Sequence, residues 1–405
     1  MALQLKLLGA DGTLGQYRLL GKPPAVAPSQ PVFSRIAYSA AHVVADPLAA
    51  VDPWLTCALD WDATIAYRRR LWSLGLGVAE AMDTAQRGMG LDWPTSLELI
   101  RRSLDAARDF ESSGAKALVA SGCGTDHLPI DEVTSVDQVI RAYEEQMEAI
   151  EKLGGRLILM ASRALVRVAK SPADYERVYH RILGQARQPV ILHWLGDMFD
   201  PALANYWGTQ HFDSAMQTAL GIIAANANKV DGIKISLLDK DKEIQMRRAL
   251  PDTGGIDGRG VRMYTGDDFN YAELIAGDAI GTSENRQHSD ALLGIFDAIA
   301  PAASHALAAL AKGDQQEFHD TLGPTVALSR HIFQAPTRFY KTGVVFMAWL
   351  NGHQNHFIMV GGQQSTRSFS HLCELFRLAD QADLLERPDL AVARMKILAA
   401  SHGVE

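Results

Sequence analysis

A lysine stands inside a short apolar run, Val230-Asp231-Gly232-Ile233-Lys234-Ile235-Ser236. Such a run reads as a buried strand. A lysine near its end must pair its ammonium or give up a proton, because low dielectric disfavours the charged form and lowers the pKa. A neutral, desolvated lysine is the nucleophile of Schiff-base chemistry. The alternative is a lysine that snorkels out to water or pairs with a carboxylate.

Other apolar runs also end in polar residues. Asp60 and Asp62 fall in Leu59-Asp60-Trp61-Asp62, and Glu80 and Asp83 fall in the segment Ala79 to Gly88. Further on come Ser121-Gly122-Cys123-Gly124-Thr125-Asp126-His127, Ser162 and Arg163, His193-Trp194, and Thr265-Gly266-Asp267-Asp268. Singly, each has an ordinary explanation: Asp126 or Asp268 caps a helix, and His193 is a hydrogen-bonded core histidine. Brought to one place, several carboxylates, a histidine and a lysine would be destabilising unless paired or used. Gly122-Cys123-Gly124-Thr125 also lets backbone N–H groups approach a carboxylate or phosphate closely, although glycines serve ordinary turns as well.

The elements that must position these residues follow a rhythm. Apolar runs at Trp54–Leu59, Leu74–Ala79, Ala115–Ala120, Arg156–Met160, Pro189–Leu192, Val230–Ile235, Val261–Tyr264 and, more weakly, Ala279–Thr282 alternate with helical patterns such as Ser96–Phe110, Ser135–Leu153 and Ala173–Gln185. Eight strands alternating with helices over roughly 250 residues predict a (β/α)8 TIM barrel, with the chemistry at the C-terminal ends of the strands. A doubly wound open sheet is the alternative, but no G-x-G-x-x-G follows any predicted strand. Ahead of the barrel (51–312), residues 1–50 predict an N-terminal β-hairpin, Gln4–Leu8 and Gln16–Leu20, and a Pro-rich linker. After about residue 285 the chain reads as helical, at Ser289–Leu310, Asp314–Phe333, Thr342–Asn351, Ser370–Ala379 and Pro388–Ala400, so 313–405 forms a C-terminal helical extension.

Composition narrows the class. The 405 residues are 47% hydrophobic and 21% charged, which suits a globular core. A net charge of -8 argues against nucleic acid as a partner. Three cysteines without a C-x-x-C argue against a disulfide framework or zinc knuckle. No secretory pattern and no apolar run long enough for a membrane span is visible, so the expectation is a cytoplasmic protein with no membrane partner.

The motifs, in this order, resemble the dihydrodipicolinate synthase and N-acetylneuraminate lyase superfamily of class I aldolases. Ala117 to Asp126 looks like that family's glycine-rich motif, Pro189 to Trp194 resembles its strand five, Gly232-Ile233-Lys234 matches its Schiff-base motif, and Thr265-Gly266-Asp267-Asp268 looks like its strand seven. The match runs from about Trp54 to Leu385. It is closer still to an uncharacterised bacterial branch, with Ala79 to Gly88 and Phe339-Tyr340-Lys341-Thr342-Gly343 as hallmarks. Two departures stand out: His193 occupies the place of the family's proton-shuttling tyrosine, and the carboxylate-binding threonine pair is altered to Cys123-Gly124 before Thr125.

The resemblance implies a lyase, an aldolase or dehydratase acting on a keto-acid or keto-sugar in carbohydrate metabolism, with no cofactor. Lys234 would form the Schiff base and His193 would be the acid/base. Asp126, with Gly124 and Thr125, would orient the ketone's substituent. Asp60, Glu80, Asp83, Asp267 and Asp268 would bind substrate hydroxyls. One alternative is a ketose epimerase, isomerase or lyase that uses Mg, Mn or Zn, with Glu80, Asp126 and His193 as ligands and Asp267 or Asp268 as a further one. Another is a non-catalytic polyol-binding barrel. The resemblance further implies a homo-oligomer, dimer or tetramer, with Lys341 reaching its own or a neighbour's barrel, or lying exposed on a core helix.

Overall fold

The computed structural model describes residues 3–404 apart from 24–26, 30, 113, 259, 279 and 281–283. Strands β1 (Gln4–Leu8) and β2 (Leu14–Arg18) form an antiparallel hairpin. Eight parallel strands then close a barrel: β3 (Ala37–Ala40), β4 (Gly77–Glu80), β5 (Val119–Cys123), β6 (Arg156–Leu159), β7 (Val190–Leu195), β8 (Val230–Ser236), β9 (Arg262–Thr265) and β10 (Asp290–Leu293). Each pairs with its sequence neighbours, and β10 closes on β3. This is the TIM barrel that the alternation of runs predicts, with the separate hairpin and the C-terminal helices around it.

Two strands lie elsewhere than expected. Trp54–Leu59 is not the first barrel strand. It belongs to a loop, with Trp54 and Leu55 nearly fully exposed and Leu59 making one isolated bridge to Ala45. The first strand is Ala37–Ala40, so the barrel begins inside the segment assigned to the appendage. Its small residues are all buried, as in any parallel strand covered on both faces. The predicted run Ala279–Thr282 lies largely outside the described residues. The eighth strand is Asp290–Leu293, at the start of what reads as a helix.

The barrel interior is layered. At the floor Arg156 meets Asp231 (3.3 Å), Arg262 meets Asp290 (3.1 Å), and the Tyr264 hydroxyl donates to Asp231 (2.8 Å). Above them Tyr38, Ala79, Ala120, Ile158, Ile191, Tyr264 and Leu292 form a closed apolar cluster. Gly232 is required here, because a Cβ would sit 2.6 Å from the Tyr264 ring. The alternation of strand side chains then carries Lys234, two residues further on, to the layer above this plug.

The hairpin docks on the C-terminal helices. Tyr17 donates to Asp380 (2.7 Å), and Arg377 donates to the Leu8 carbonyl (2.7 Å). The helix Tyr340–Leu350 is buried along its whole length and brings its first turn to the mouth of its own barrel. Among the described residues no helix is long and apolar enough to cross a membrane.

Candidate active site

The C-terminal mouth holds a cavity of about 320 Å³, lined among others by Asp83, Arg87, Gly124, Thr125, Asp126, Arg163, His193 and Asp200. Lys234 and His193 lie on adjacent strands in direct register. Lys234 is 7% exposed and its ammonium has no hydrogen-bond acceptor among the described residues. Burial lowers its pKa, while the charges of Asp268 and Asp83 work in the opposite direction. Gly266 makes room for it, since a Cβ there would come within 2.7 Å of Lys234 Cε.

Asp268 is the carboxylate most closely tied to this lysine. Burial raises its pKa to about 7, against the pull of Lys234 and of the Ile295 N–H, which donates to it at 3.0 Å. A lysine pushed down and a carboxyl pushed up, each acting on the other, form a pair between which a proton can move. His193 is fully buried, and burial first, then the nearby Lys234 charge, hold it well below its ordinary range. Its imidazole is neutral. Nε2 lies 3.4 Å from the Ser236 hydroxyl, and Nδ1 has no hydrogen-bond partner among the described residues.

Asp83 sits at the end of β4 on a turn built by left-handed residues, Ala81 (φ 51) and Gln86 (φ 66). Glu80 anchors this turn from behind. Its carboxylate accepts two hydrogen bonds from Arg68 (2.9 Å each), one from the Ala81 N–H (2.8 Å) and one from Ser103. All of this lies on the helix side of β4. Glu80 is therefore not positioned to hold substrate or metal.

Asp126 is held by Arg87 through two hydrogen bonds of 2.9 and 2.6 Å. Burial pushes its carboxyl upward, but the Arg87 charge and hydrogen bonds prevail and keep its pKa below the usual value. Arg87 also donates to the Gly122 carbonyl (2.5 Å) and to Gln146 (2.5 Å), and it lies over the Trp93 ring. The Gly124 N–H, expected to meet a substrate anion, instead donates to Gln146 (2.7 Å). The Thr125 hydroxyl pairs with Ser162 (2.6 Å) at the cavity wall.

Lys234 and Asp268 are not among the residues lining the cavity, and two further expected residues do not line it either. Asp60 caps the helix Trp61–Ser73 by accepting from the Ala63 N–H (2.9 Å). Asp267 shapes its own turn, accepting from Phe269 N (2.8 Å), Asn270 N (3.0 Å) and Asn270 Nδ2 (2.9 Å). The alternative metal set, Glu80, Asp126 and His193, does not converge on one point. Among the described residues, no group of three His, Cys, Asp or Glu side chains is arranged to hold a metal ion.

The tail supplies groups that strand-by-strand reasoning does not assign. The Tyr340 hydroxyl lies 2.8 Å from the Thr84 hydroxyl, within electrostatic reach of Asp83 and Asp268. Lys341 is buried rather than exposed. Burial lowers its pKa to about 8, with Asp83 and Asp200 working against that shift. The sequence signal was the polar pair Tyr340-Lys341 at the head of an apolar helix.

The family model described as "Protein of unknown function (DUF993)" matches residues 5–404. The chain belongs to that family. No curated protein matches it by sequence. Its fold is similar to that of solved dihydrodipicolinate synthase structures. The enzyme from Aquifex aeolicus superposes with a TM-score of 0.61 at 10% identity, covering 87% of this chain and 99% of that one. YagE, a prophage protein of Escherichia coli K12 described as belonging to the dihydrodipicolinic acid synthase family and solved with pyruvate, gives 0.60 at 12% identity, with coverages of 92% and 100%. The 4-hydroxy-tetrahydrodipicolinate synthase from Methylacidiphilum fumariolicum SolV gives 0.59 at 14%, with coverages of 90% and 99%. At these identities the likeness establishes the barrel fold.

Proposed function

We propose that this protein is a class I aldolase-like lyase in which Lys234 forms a Schiff base with a keto-acid or keto-sugar. The observation that carries the proposal is a buried lysine with no hydrogen-bond partner among the described residues at the mouth of the barrel, within electrostatic reach of a carboxyl whose pKa has risen to about 7. Asp268 takes the ammonium proton, and the free amine attacks the ketone carbon. Loss of water leaves an iminium. The bond between the α and β carbons then breaks, and its electron pair moves into the iminium to give an enamine. In a retro-aldol cleavage the departing fragment leaves as an aldehyde and its hydroxyl proton passes to a base. Protonation of the enamine carbon and hydrolysis release the second product.

His193 is the group proposed to move these protons. It is neutral, faces the cavity and stands in register with Lys234. Being neutral it accepts a proton first, and its lowered pKa then makes it a ready donor. Asp83, half-buried in the cavity wall and without a hydrogen-bond partner of its own among the described residues, is placed to accept substrate hydroxyls. Arg87 and Asp126 position the wall between β4 and β5. The barrel's likeness to a protein solved with pyruvate supports a small keto-acid as one partner.

The test is exchange of the methyl protons of pyruvate in D2O, followed by proton NMR. Enamine formation at Lys234 predicts loss of the methyl signal in wild type, none in Lys234→Ala, and slowed loss in His193→Ala. Equal exchange in wild type and Lys234→Ala would remove the proposal.

A further inference from the structure

Arg163 opens the helix Arg163–Val168 after β6 and lines the cavity. Its Nε donates to Asp200. Its two terminal nitrogens have no acceptor among the described residues. They lie over Gly88, where a Cβ would stand 3.6 Å from Nη1 and 3.8 Å from Nη2. With no side chain at Gly88, that edge of the guanidinium stays open. The other cavity arginine differs, because Arg87 is saturated by Asp126, Gln146 and the Gly122 carbonyl.

A second cation lies within electrostatic reach of Arg163. Lys341 is 5% exposed, and its ammonium donates to one carbonyl, that of Arg338 (3.1 Å), with the Met89 thioether at 3.4 Å. No carboxylate pairs with it within 4.0 Å among the described residues. It lies within electrostatic reach of Asp83, Asp200 and Arg163, all three of which line the cavity. The turn after β5, meanwhile, has its Gly124 N–H committed to Gln146. The open positive groups of the mouth are therefore Arg163 and Lys341 rather than the Gly124 N–H of that turn.

We infer that Arg163, supported by Lys341, binds an anionic group at the end of the substrate remote from the reacting carbonyl, so that the substrate is a keto compound bearing a terminal carboxylate or phosphate. This rests on the Schiff-base proposal for the carbonyl end only. The guanidinium presents its two terminal nitrogens to a carboxylate or phosphate as a fork, the geometry in which arginine binds such groups most firmly. Lys341 adds charge in a low-dielectric wall, where it acts more strongly than at the surface. Asp200 fixes the fork's orientation.

The experiment is titration calorimetry with ligands that have no ketone: glycerol 3-phosphate, succinate and glycerol, on wild type, Lys234→Ala, Arg163→Gln and Lys341→Met. At least one anion is expected to bind roughly tenfold or more tightly than glycerol, and Arg163→Gln to abolish that difference. Lys341→Met is expected to weaken the same anion several-fold. The tighter of the two anions names the group. Lys234→Ala should bind anions as wild type does, which separates this site from the Schiff base. Anion binding no tighter than glycerol, or unchanged in Arg163→Gln, overturns the inference even if Lys234 forms adducts. Anion binding intact with no adduct overturns the Schiff base alone. Arg163 is 45% exposed, so its variant is expected to fold, and thermal unfolding checks this.

Discussion

Replacing Glu80 by Gln separates two roles that a carboxylate at the end of a barrel strand can play. Glu80 and Arg68 both have fully buried side chains (0% and 0% exposed), joined by two hydrogen bonds of 2.9 Å. Glu80→Gln keeps the shape and removes the charge, so the Arg68 guanidinium is left buried without a counter-ion. Breaking a buried pair in this way costs about 3–5 kcal/mol. Arg68→Met should be costly too, because it strands the Glu80 carboxylate. The double variant Arg68→Met/Glu80→Gln should be less unstable than the sum of the singles by about 0.5–3 kcal/mol. Urea denaturation of the four proteins measures this directly. The turn bearing Asp83 is tied to Glu80 through the Ala81 N–H, so activity should fall along with stability. The reasoning fails if Glu80→Gln stays within about 0.5 kcal/mol of wild type while activity disappears, for that result would make Glu80 a ligand of substrate or metal.

Gly266→Ala places a methyl 2.7 Å from Lys234 Cε and 2.3 Å from the Ser236 hydroxyl, so it should abolish reaction with ketones while circular dichroism stays native. Asp268→Asn removes the larger of the two charges that favour the Lys234 ammonium, so the amine should become free at lower pH. The midpoint of the pH profile for adduct formation is expected to shift down, and an upward shift would contradict the pairing. Glu243, buried and bonded to Thr265 and Ser289, has its pKa raised by burial to about 8, from an ordinary carboxylate value near 4.5. Between those pH values the folded chain holds a proton that the unfolded chain has lost, so this group's contribution to stability declines as pH rises, by up to ~1.4 kcal/mol per pH unit. Glu243→Gln should flatten that decline in denaturation curves taken from pH 5 to 8.

Lys234 was legible because its type conflicts with its surroundings: a long cation in a strand whose neighbours are Val, Ile and Gly needs an explanation that an exposed lysine does not. The barrel was legible from the spacing of such strands. Ala37–Ala40 escaped because the run Ala-Tyr-Ser-Ala lacks the aliphatic signature, although both of its faces are buried. Trp54-Leu55 misled for the opposite reason, being apolar residues in an exposed loop. Glu80 and Asp83 stand three residues apart, and their sequence gives no means of telling them apart. What separates them is Arg68 and Ser103 on the flanking helices, contacts visible only in three dimensions. Asp60 and Asp267 likewise spend their oxygens on local backbone N–H groups, the usual competitor to function for aspartates at element ends. Lys341 lies more than 100 residues along the chain from Lys234, and only the packing of the C-terminal helix brings it to the mouth.

The most direct test of the account is intact mass spectrometry after borohydride reduction in the presence of pyruvate and longer keto-acids, followed by peptide mapping. A single reduced adduct on the peptide carrying Lys234, absent from Lys234→Ala, is the predicted result. An unmodified chain with every ketone, or an adduct that persists in Lys234→Ala, would contradict it.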